Sequence, residues 1–586
     1  MISSRDAAYH PTDEAFAECA ALIRRADIGT ILDAARRQAR GPGGRPPQCR
    51  YTLDAVLTVA LWITHAGRVP SMAEVHRVVR VLRPDQLALV GMAGQNPAAQ
   101  DPGPGYAAFM AWLHRQLAII DPGADLPARR VSNRRHRKML AARTAAQRGA
   151  SQRASGPPHR ITNRRVAAPI ADADPDDYHG DVVADETIID LAGPSAGLGS
   201  RDDKARGAAY MGAYYARDER GVPQTAGMPP RIRKAAFGIG VTAVTRVGPP
   251  GAVESVAPVI TGIAIHAPTS GSVEGLCAAL DAHVEGGFGG RRGPRARWPY
   301  LVVDMGYNAK TSFAREMLDR GIAPVVRYPR HWTTVYATHA SEGVAPGPVQ
   351  IAGAFYCPAA APIVEGRRVM RRTTEMLETS SFQEHDQMLR RLLPLLMGTN
   401  SRPVDGRSTG GRPKSSVDEL RPVRQALVCP AVQGRVRCPM KPESMVAARA
   451  TAPGVAPPPG AARFQCCTKS QVTVAYSDDQ VRMMQPGLVP GSWEHTLYYE
   501  AARSLTEQRF SIMKSHHCTG ASDLTWAPRR EPMIALIVAL QVVEANRVIQ
   551  RRWHSRPVEY TGSTVKRMAQ LRADLGHEPM VTPPRT

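Results

Sequence analysis

Apolar positions along the chain fall into two textures. In the first 125 residues they recur at helical spacing, and T-L-D-A-V-L-T-V-A-L-W-I-T-H-A-G over residues 52–67 predicts an apolar helix capped at Thr52. Ser71 with Glu74 has the spacing of a capping box and predicts a second helix through Arg80. Two helices across a short Gly/Pro turn fit a helix-turn-helix unit, and equally any small helical bundle. From Gly180 the pattern shifts to short β-rich runs: D-V-V-A-D-E-T-I-I-D-L, A-A-F-G-I-G-V-T-A-V-T-R-V and A-P-V-I-T-G-I-A-I-H, each bounded by Gly, Pro or charge. A capped helix is expected over Thr269 to His283. A buried strand, Y-L-V-V-D-M-G-Y, follows and ends at Asp304; next come a helix burying Phe313, Met317 and Leu318, a stop at Gly321, and the strand I-A-P-V-V-R-Y. Strands alternating with helices define an α/β core.

Farther along, Thr399 to Lys414 and Ala452 to Ala461 read as loops, and Q-V-T-V-A-Y marks a strand in a β-rich insertion. The chain closes with a helix around Glu507, an apolar helix behind Pro532 and a basic tail. The expected organisation is an N-terminal helical domain (1–125), a basic linker or DNA-contact segment (126–178), an α/β core in two parts (179–335 and 491–552) split by the β-rich insertion (336–490), and the tail (553–586).

Charge narrows the partner. Lys and Arg number 75 against 52 Asp and Glu, a net charge of +23 over 586 residues, with a pI near 10.0; this is the electrostatic footprint of a nucleic-acid binder. Arg129, Arg130, Arg134, Arg135, Arg137, Lys138, Arg143, Arg148, Arg153, Arg160, Arg164 and Arg165 make the densest basic stretch, suited to phosphate contact or to a solvated linker. No basic-then-apolar leader opens the sequence, and the longest apolar run, Met533 to Val543, is broken by Gln541 and halted by Glu544, short of the roughly 20 residues that span a bilayer. A cytoplasmic, nucleoid-associated bacterial protein without membrane contact is expected. Nine cysteines then read as reduced thiols or metal ligands.

Three carboxylates carry the candidate chemistry. Asp185 follows V-V-A and Asp304 follows L-V-V, each at or near the end of a buried strand, where an acid has little packing value and a desolvation cost. On the helix Y-E-A-A-R-S-L-T-E-Q-R-F-S-I-M-K, the residues Tyr499, Arg503, Glu507 and Lys514 fall within roughly 80° of one another, with Leu505 and Ile512 opposite. Two strand-borne Asp and one helix-borne Glu suit a pair of Mg²⁺ or Mn²⁺ ions, which activate water or a 3′-hydroxyl for attack on a phosphodiester. In the insertion, Cys429, Cys438, Cys466 and Cys467 are either a zinc site of irregular spacing or free thiols. No G-x-x-x-x-G-K-[ST] loop occurs, so no nucleotide triphosphate is implied.

D-E-T at Asp185 to Thr187, D-M-G-Y at Asp304 to Tyr307 and R-S-L-T-E-Q-R-F-S-I-M-K at Arg503 to Lys514 resemble the insertion-sequence DDE transposases with a Tyr-Arg-Glu-Lys signature helix. The resemblance covers about residues 180–550. It implies an RNase H-like catalytic core with a β-rich insertion between the second Asp and the Glu. It further implies a metal-binding triad of Asp185, Asp304 and Glu507, phosphate contacts from Arg503 and Lys514, and Tyr307 in a D-x-x-Y motif. The implied activity is cleavage at the terminal inverted repeats and joining of 3′-hydroxyl ends to target DNA, by a homodimer on double-stranded DNA. Two positions depart from the family pattern. Glu186 stands where Gly usually follows the first Asp, leaving Asp181 and Asp190 as alternative ligands, and three residues rather than two separate Tyr499 from Arg503. A structure-specific nuclease or resolvase, or a non-catalytic DNA-binding relative, shares these features.

Overall fold

The computed structural model describes residues 9–40, 51–99, 102–129, 131–170, 178–193, 205–206, 209–218, 232–290, 296–328, 335–337, 347–405, 422–527, 530–557 and 562–584. Arg130 and most of the loop expected at 399–414 lie outside them.

The N-terminal part is helical as the spacing predicts, with α1 (Asp13–Ala26), α2 (Ile28–Arg40), α3 (Leu53–His65), α4 (Met72–Val81) and α5 (Pro102–Ala118), and two helices that the spacing does not predict follow in the basic stretch, α6 (Asn133–Ala141) and α7 (Ala145–Ala167). Thr52 and Ser71 cap α3 and α4, accepting from the backbone N–H of Ala55 and Glu74. The reciprocal half of the expected capping box does not form, because the Glu74 carboxylate is taken by Arg68 (2.8 Å) and Arg77 (3.3 Å). These helices do not stand apart from the sheet; Phe16, Leu57, Ile161, Ile239, Ile263 and Leu540 belong to one continuous apolar cluster.

The central sheet comprises β1 (Val182–Asp190), β2 (Ala213–Asp218), β3 (Ile232–Arg246), β4 (Ile260–His266), then, after α8 (Ser272–Glu285), β5 (Tyr300–Val302), and, after α9 (Met305–Asn308) and α10 (Phe313–Asp319), β6 (Ala323–Val325). The spatial order is β4-β3-β1-β5-β6, with β2 also pairing the outer side of β3. β1, β5 and β6 are parallel, and β3 is antiparallel to each neighbour. The free edge of β4 meets two asparagine side chains. Asn163 on α7 accepts from the N–H of Ile263 (2.8 Å) and donates to its carbonyl (3.0 Å), and Asn546 does the same at Ile260 (2.9 and 2.8 Å). Buried strand-edge groups thus stay paired without a further strand.

Between β6 and the last core helices, β7 (Val335–Ala337), β8 (Val349–Ile351) and β9 (Ala354–Tyr356) form one antiparallel sheet, and β10 (Val423–Val428) with β11 (Gln471–Ala475) anchors another. This insertion is less β-rich than expected, for α11 (Phe382–Leu392) lies between the sheets with Met388, Leu389 and Leu392 buried. The chain then runs through α12 (Trp493–Met513), α13 (Glu531–His554) and α14 (Ser563–Leu575).

Three expectations change. Residues 126–178 are not a plain linker: α7 buries Ala154, Pro157, Pro158, Ile161 and Val166, and buried Arg165, pushed down to about 9 by that burial, donates to the Leu536 carbonyl at 3.1 Å. The apolar run from Met533 does not stop at Glu544. Its carboxylate is buried against Arg547 (2.7 Å), with His65 Nδ1 at 3.1 Å, and the helix runs on past it to His554, so that α13 is 24 residues long. By length and composition α13 alone among the described residues is apolar enough to cross a membrane, yet 94% of that window is buried inside the protein. The basic tail is also packed: Leu571 and Leu575 of α14 join the insertion core, and Glu494 at the start of α12 accepts from Thr582 N (2.9 Å) and Oγ1 (3.0 Å).

Candidate active site

Strand alternation decides which side chains share a face. Val182, Ala184, Leu301 and Val303 point into the cluster under α8 and α10. Val183, Val302 and Val325, one on each parallel strand or its neighbour, point the other way and pack against Tyr498, Tyr499, Ala501, Ala502 and Leu505 of α12. By the same parity Asp185 and Asp304 share the α12 side. Their register agrees as well: Val183 of β1 pairs Val302 of β5, so two further residues bring Asp185 opposite Asp304. Asp185 is not at a strand end, as the sequence suggested, but fourth of nine in β1. Asp304 lies two residues beyond the end of β5, and caps α9 by accepting from Gly306 N at 2.9 Å.

α12 is positioned by its own cap, the buried Ser492, which accepts from His495 N at 3.2 Å. Glu500 then ties the helix to the insertion, taking Arg327 (2.5 Å), Thr373 N (3.0 Å) and Thr373 Oγ1 (2.6 Å). Ser492→Ala is expected to cost about 1 kcal/mol, read as a lower urea midpoint with an unchanged m-value; no change in midpoint would mean that the cap does not hold α12.

Arg503 connects the strands to the helix. Its Nη1 lies 2.9 Å from Asp185 Oδ2, and its Nη2 lies 3.9 Å from Glu507 Oε1. Burial raises the Asp185 carboxyl from 3.8 to about 6; Arg503 opposes this and the charge of Asp304 adds to it. A buried acid facing a second acid needs a cation, and in this structure a guanidinium supplies the charge. The donors are all oxygen, matching a hard divalent ion such as Mg²⁺ or Mn²⁺. Convergence of the third acid is not observed: the Glu507 side chain is 73% exposed, and among the described residues no three His, Cys, Asp or Glu side chains stand closely enough to hold a metal ion. Asp181 and Asp190 are committed elsewhere, to Arg297 (2.5 Å) and Lys234 (2.5 Å). Glu186, the departure after Asp185, has a structural use, accepting from Thr269 N (3.1 Å) and Ser272 Oγ (2.9 Å) at the N-terminus of α8.

The remaining expected contacts divide. Lys514 donates to the Ile188 carbonyl of β1 at 2.6 Å, at the C-terminal end of α12. Tyr499 is buried, which pushes its phenol up, and its ring lies 4.8 Å beneath the Arg327 guanidinium. Arg327, which sequence reasoning missed, follows β6 in the run V-V-R-Y, where a cation leaving a buried strand was the available signal. Tyr307 is not placed for direct DNA contact; it is buried beside Thr242 Oγ1 (3.3 Å), and burial pushes its phenol up. Arg134, Arg135, Arg137 and Lys138 are exposed on α6, whose buried His136 stacks on Tyr210 with ring centroids 4.7 Å apart. No family model, curated protein or solved structure matches this chain.

Proposed function

We propose that this chain is a DNA transposase of the DDE type, binding the terminal inverted repeats of its element, cleaving at the ends and joining the 3′-hydroxyls to target DNA. The observation that carries the reading is the pair Asp185, on β1, and Asp304, two residues past the end of the parallel neighbour β5, close enough for the charge of one to act on the other, with Arg503 of α12 reaching both Asp185 and Glu507. The sheet order β4-β3-β1-β5-β6, with β3 alone reversed, supports an RNase H-like core with the insertion following β6. In this reading Asp185, Asp304 and Glu507 hold two Mg²⁺ or Mn²⁺ ions. Bound divalent ions lower the pKa of an attacking water or 3′-hydroxyl and neutralise charge on the phosphate. Arg503, which reaches toward Glu507 with its second nitrogen, would bind a phosphate oxygen there. Lys514 fixes the far end of α12 to β1, and Tyr307 supports the loop after Asp304 from within. The exposed cations of α6 supply sequence-independent backbone affinity. A homodimer holds the two ends together, acting in the bacterial cytoplasm and at the nucleoid.

The test uses linear DNA carrying both flanks of the chain's own coding region, incubated with the full-length protein and Mg²⁺. Discrete nicks at the borders of inverted repeats, followed by joining to a target plasmid, are expected. Cleavage without joining would instead indicate a structure-specific nuclease, and binding with neither step a DNA-binding protein that lacks catalysis.

A further inference from the structure

Four separated stretches of the insertion bring Cys357, Cys429, Cys438, Cys466 and Cys467 to the wall of one cavity of about 20 Å³. That volume admits a single atom-sized guest, a water needing about 10–15 Å³. All five thiols are free, and Cys429, Cys466 and Cys467 are buried. Buried free cysteines often serve as small apolar residues, but two features here go beyond packing. The Cys429 sulfur accepts from the backbone N–H of both Ala431 and Val432, in the turn Cys429-Pro430-Ala431-Val432-Gln433-Gly434, and the Cys357 sulfur accepts from Ala359 N–H. Burial pushes both thiols up, Cys357 to about 12, and these N–H groups act against that shift, favouring the thiolate that binds metal. Buried Lys441 lines the same wall and supplies positive charge.

We propose that this cavity binds one Zn²⁺ through Cys357, Cys429, Cys438 and one thiolate of the adjacent Cys466–Cys467 pair. Sulfur donors select a soft or borderline ion over Mg²⁺, and four of them complete the tetrahedral shell of a structural zinc. Four thiolates and Zn²⁺ carry a net charge of about −2, which Lys441 offsets in part. Among the described residues no three donors yet stand at ion-binding separation, so the ion draws the thiolates inward by side-chain rotation. The role is structural: Cys357 follows β9, Cys429 follows β10, and the Cys466–Cys467 pair precedes β11, so the ion clamps both insertion sheets together. This site is independent of the carboxylates under α12, and zinc content reads it without reference to activity.

The full chain, purified in reducing buffer and exposed to Zn²⁺ before desalting, is expected to retain about one zinc per chain. Cys429→Ser and Cys438→Ser should each lower the retained zinc severalfold, while Cys518→Ser, outside the cavity, should not. Retention below about one tenth per chain, equal zinc in wild type and both cavity variants, or fewer than the nine thiols of the sequence on denaturation without reductant would each overturn the proposal. If the variants are insoluble, mercurial titration of the wild type answers the same question. Zinc released in step with about four thiols supports the site, and release unrelated to thiol modification refutes it.

Discussion

Asp304→Asn is expected to abolish Mg²⁺-dependent strand cleavage while leaving the fold and DNA affinity intact. Asp304 has two separable jobs. As a cap, its side-chain oxygen accepts from Gly306 N, and asparagine serves that position equally well. As a charge, it stands two residues past the end of the parallel strand beside Asp185, where only a carboxylate both attracts a divalent ion and balances it. Removing the charge forfeits transition-state stabilisation of about 4 kcal/mol, roughly a 10³-fold slower cleavage. Asp304→Ala should lose the same activity and a further 1 kcal/mol or so of stability, because the cap goes too. Cleavage of end-bearing DNA by Asp304→Asn at even a tenth of the wild-type rate, with equal protein folded, would remove Asp304 from the reaction. The DNA-binding reading without catalysis predicts no effect of either substitution, so the pair of variants separates it from transposition.

The strands that carry the acids were legible because β-branched runs such as V-V-A-D-E-T-I-I-D are bounded by Gly and charge, and β1, β3 and β4 fall where that texture predicts. The same run misplaced Asp185 at a strand end. Acids interrupt the apolar pattern there, but alternation sends Asp185 toward α12, while Glu186 finds the N-terminus of α8. Helix α7 was hidden by Pro157, Pro158 and its arginines, since its burial depends on partners more than 90 residues away, at β4 and α13. Cys357 was missed for the same kind of reason: it lies 429 − 357 = 72 residues before Cys429, and only the packing of β9 beside β10 makes them neighbours. Local spacing reports which helix face holds Arg503 and Glu507; it does not report that Arg503 turns to Asp185 while Glu507 stays in solvent.

That ion pair leads to a second expected result: Asp185→Asn should stabilise the protein in EDTA and make its stability indifferent to Mg²⁺, while eliminating cleavage. The Asp185 carboxyl is raised from 3.8 to about 6, chiefly by burial, with the charge of Asp304 adding to the shift and Arg503 offsetting only part of it. A carboxyl whose folded pKa lies above its unfolded value binds its proton more tightly in the native state. Protonation therefore favours folding, and stability falls as pH rises between about 4 and 6. Above that window the ionised acid costs about 3 kcal/mol at most, since one pKa unit corresponds to about 1.4 kcal/mol. Asparagine avoids the cost, keeps an oxygen for the N–H of Glu186 that Asp185 Oδ1 accepts at 2.9 Å, and gives up the contact to Arg503. A gain of about 1–3 kcal/mol at pH 7.5 is expected in EDTA, shrinking to nothing near pH 4, where the wild-type acid is neutral as well. Divalent ions act in the opposite sense, stabilising the wild type in proportion to their occupancy and the variant hardly at all. Denaturant melts of both proteins at pH 4.5 and 7.5, with EDTA or Mg²⁺, decide the matter. A variant less stable than wild type in EDTA at pH 7.5 would show that the Arg503 pair outweighs desolvation. An equal Mg²⁺ shift in both would show that the ion binds elsewhere than at Asp185.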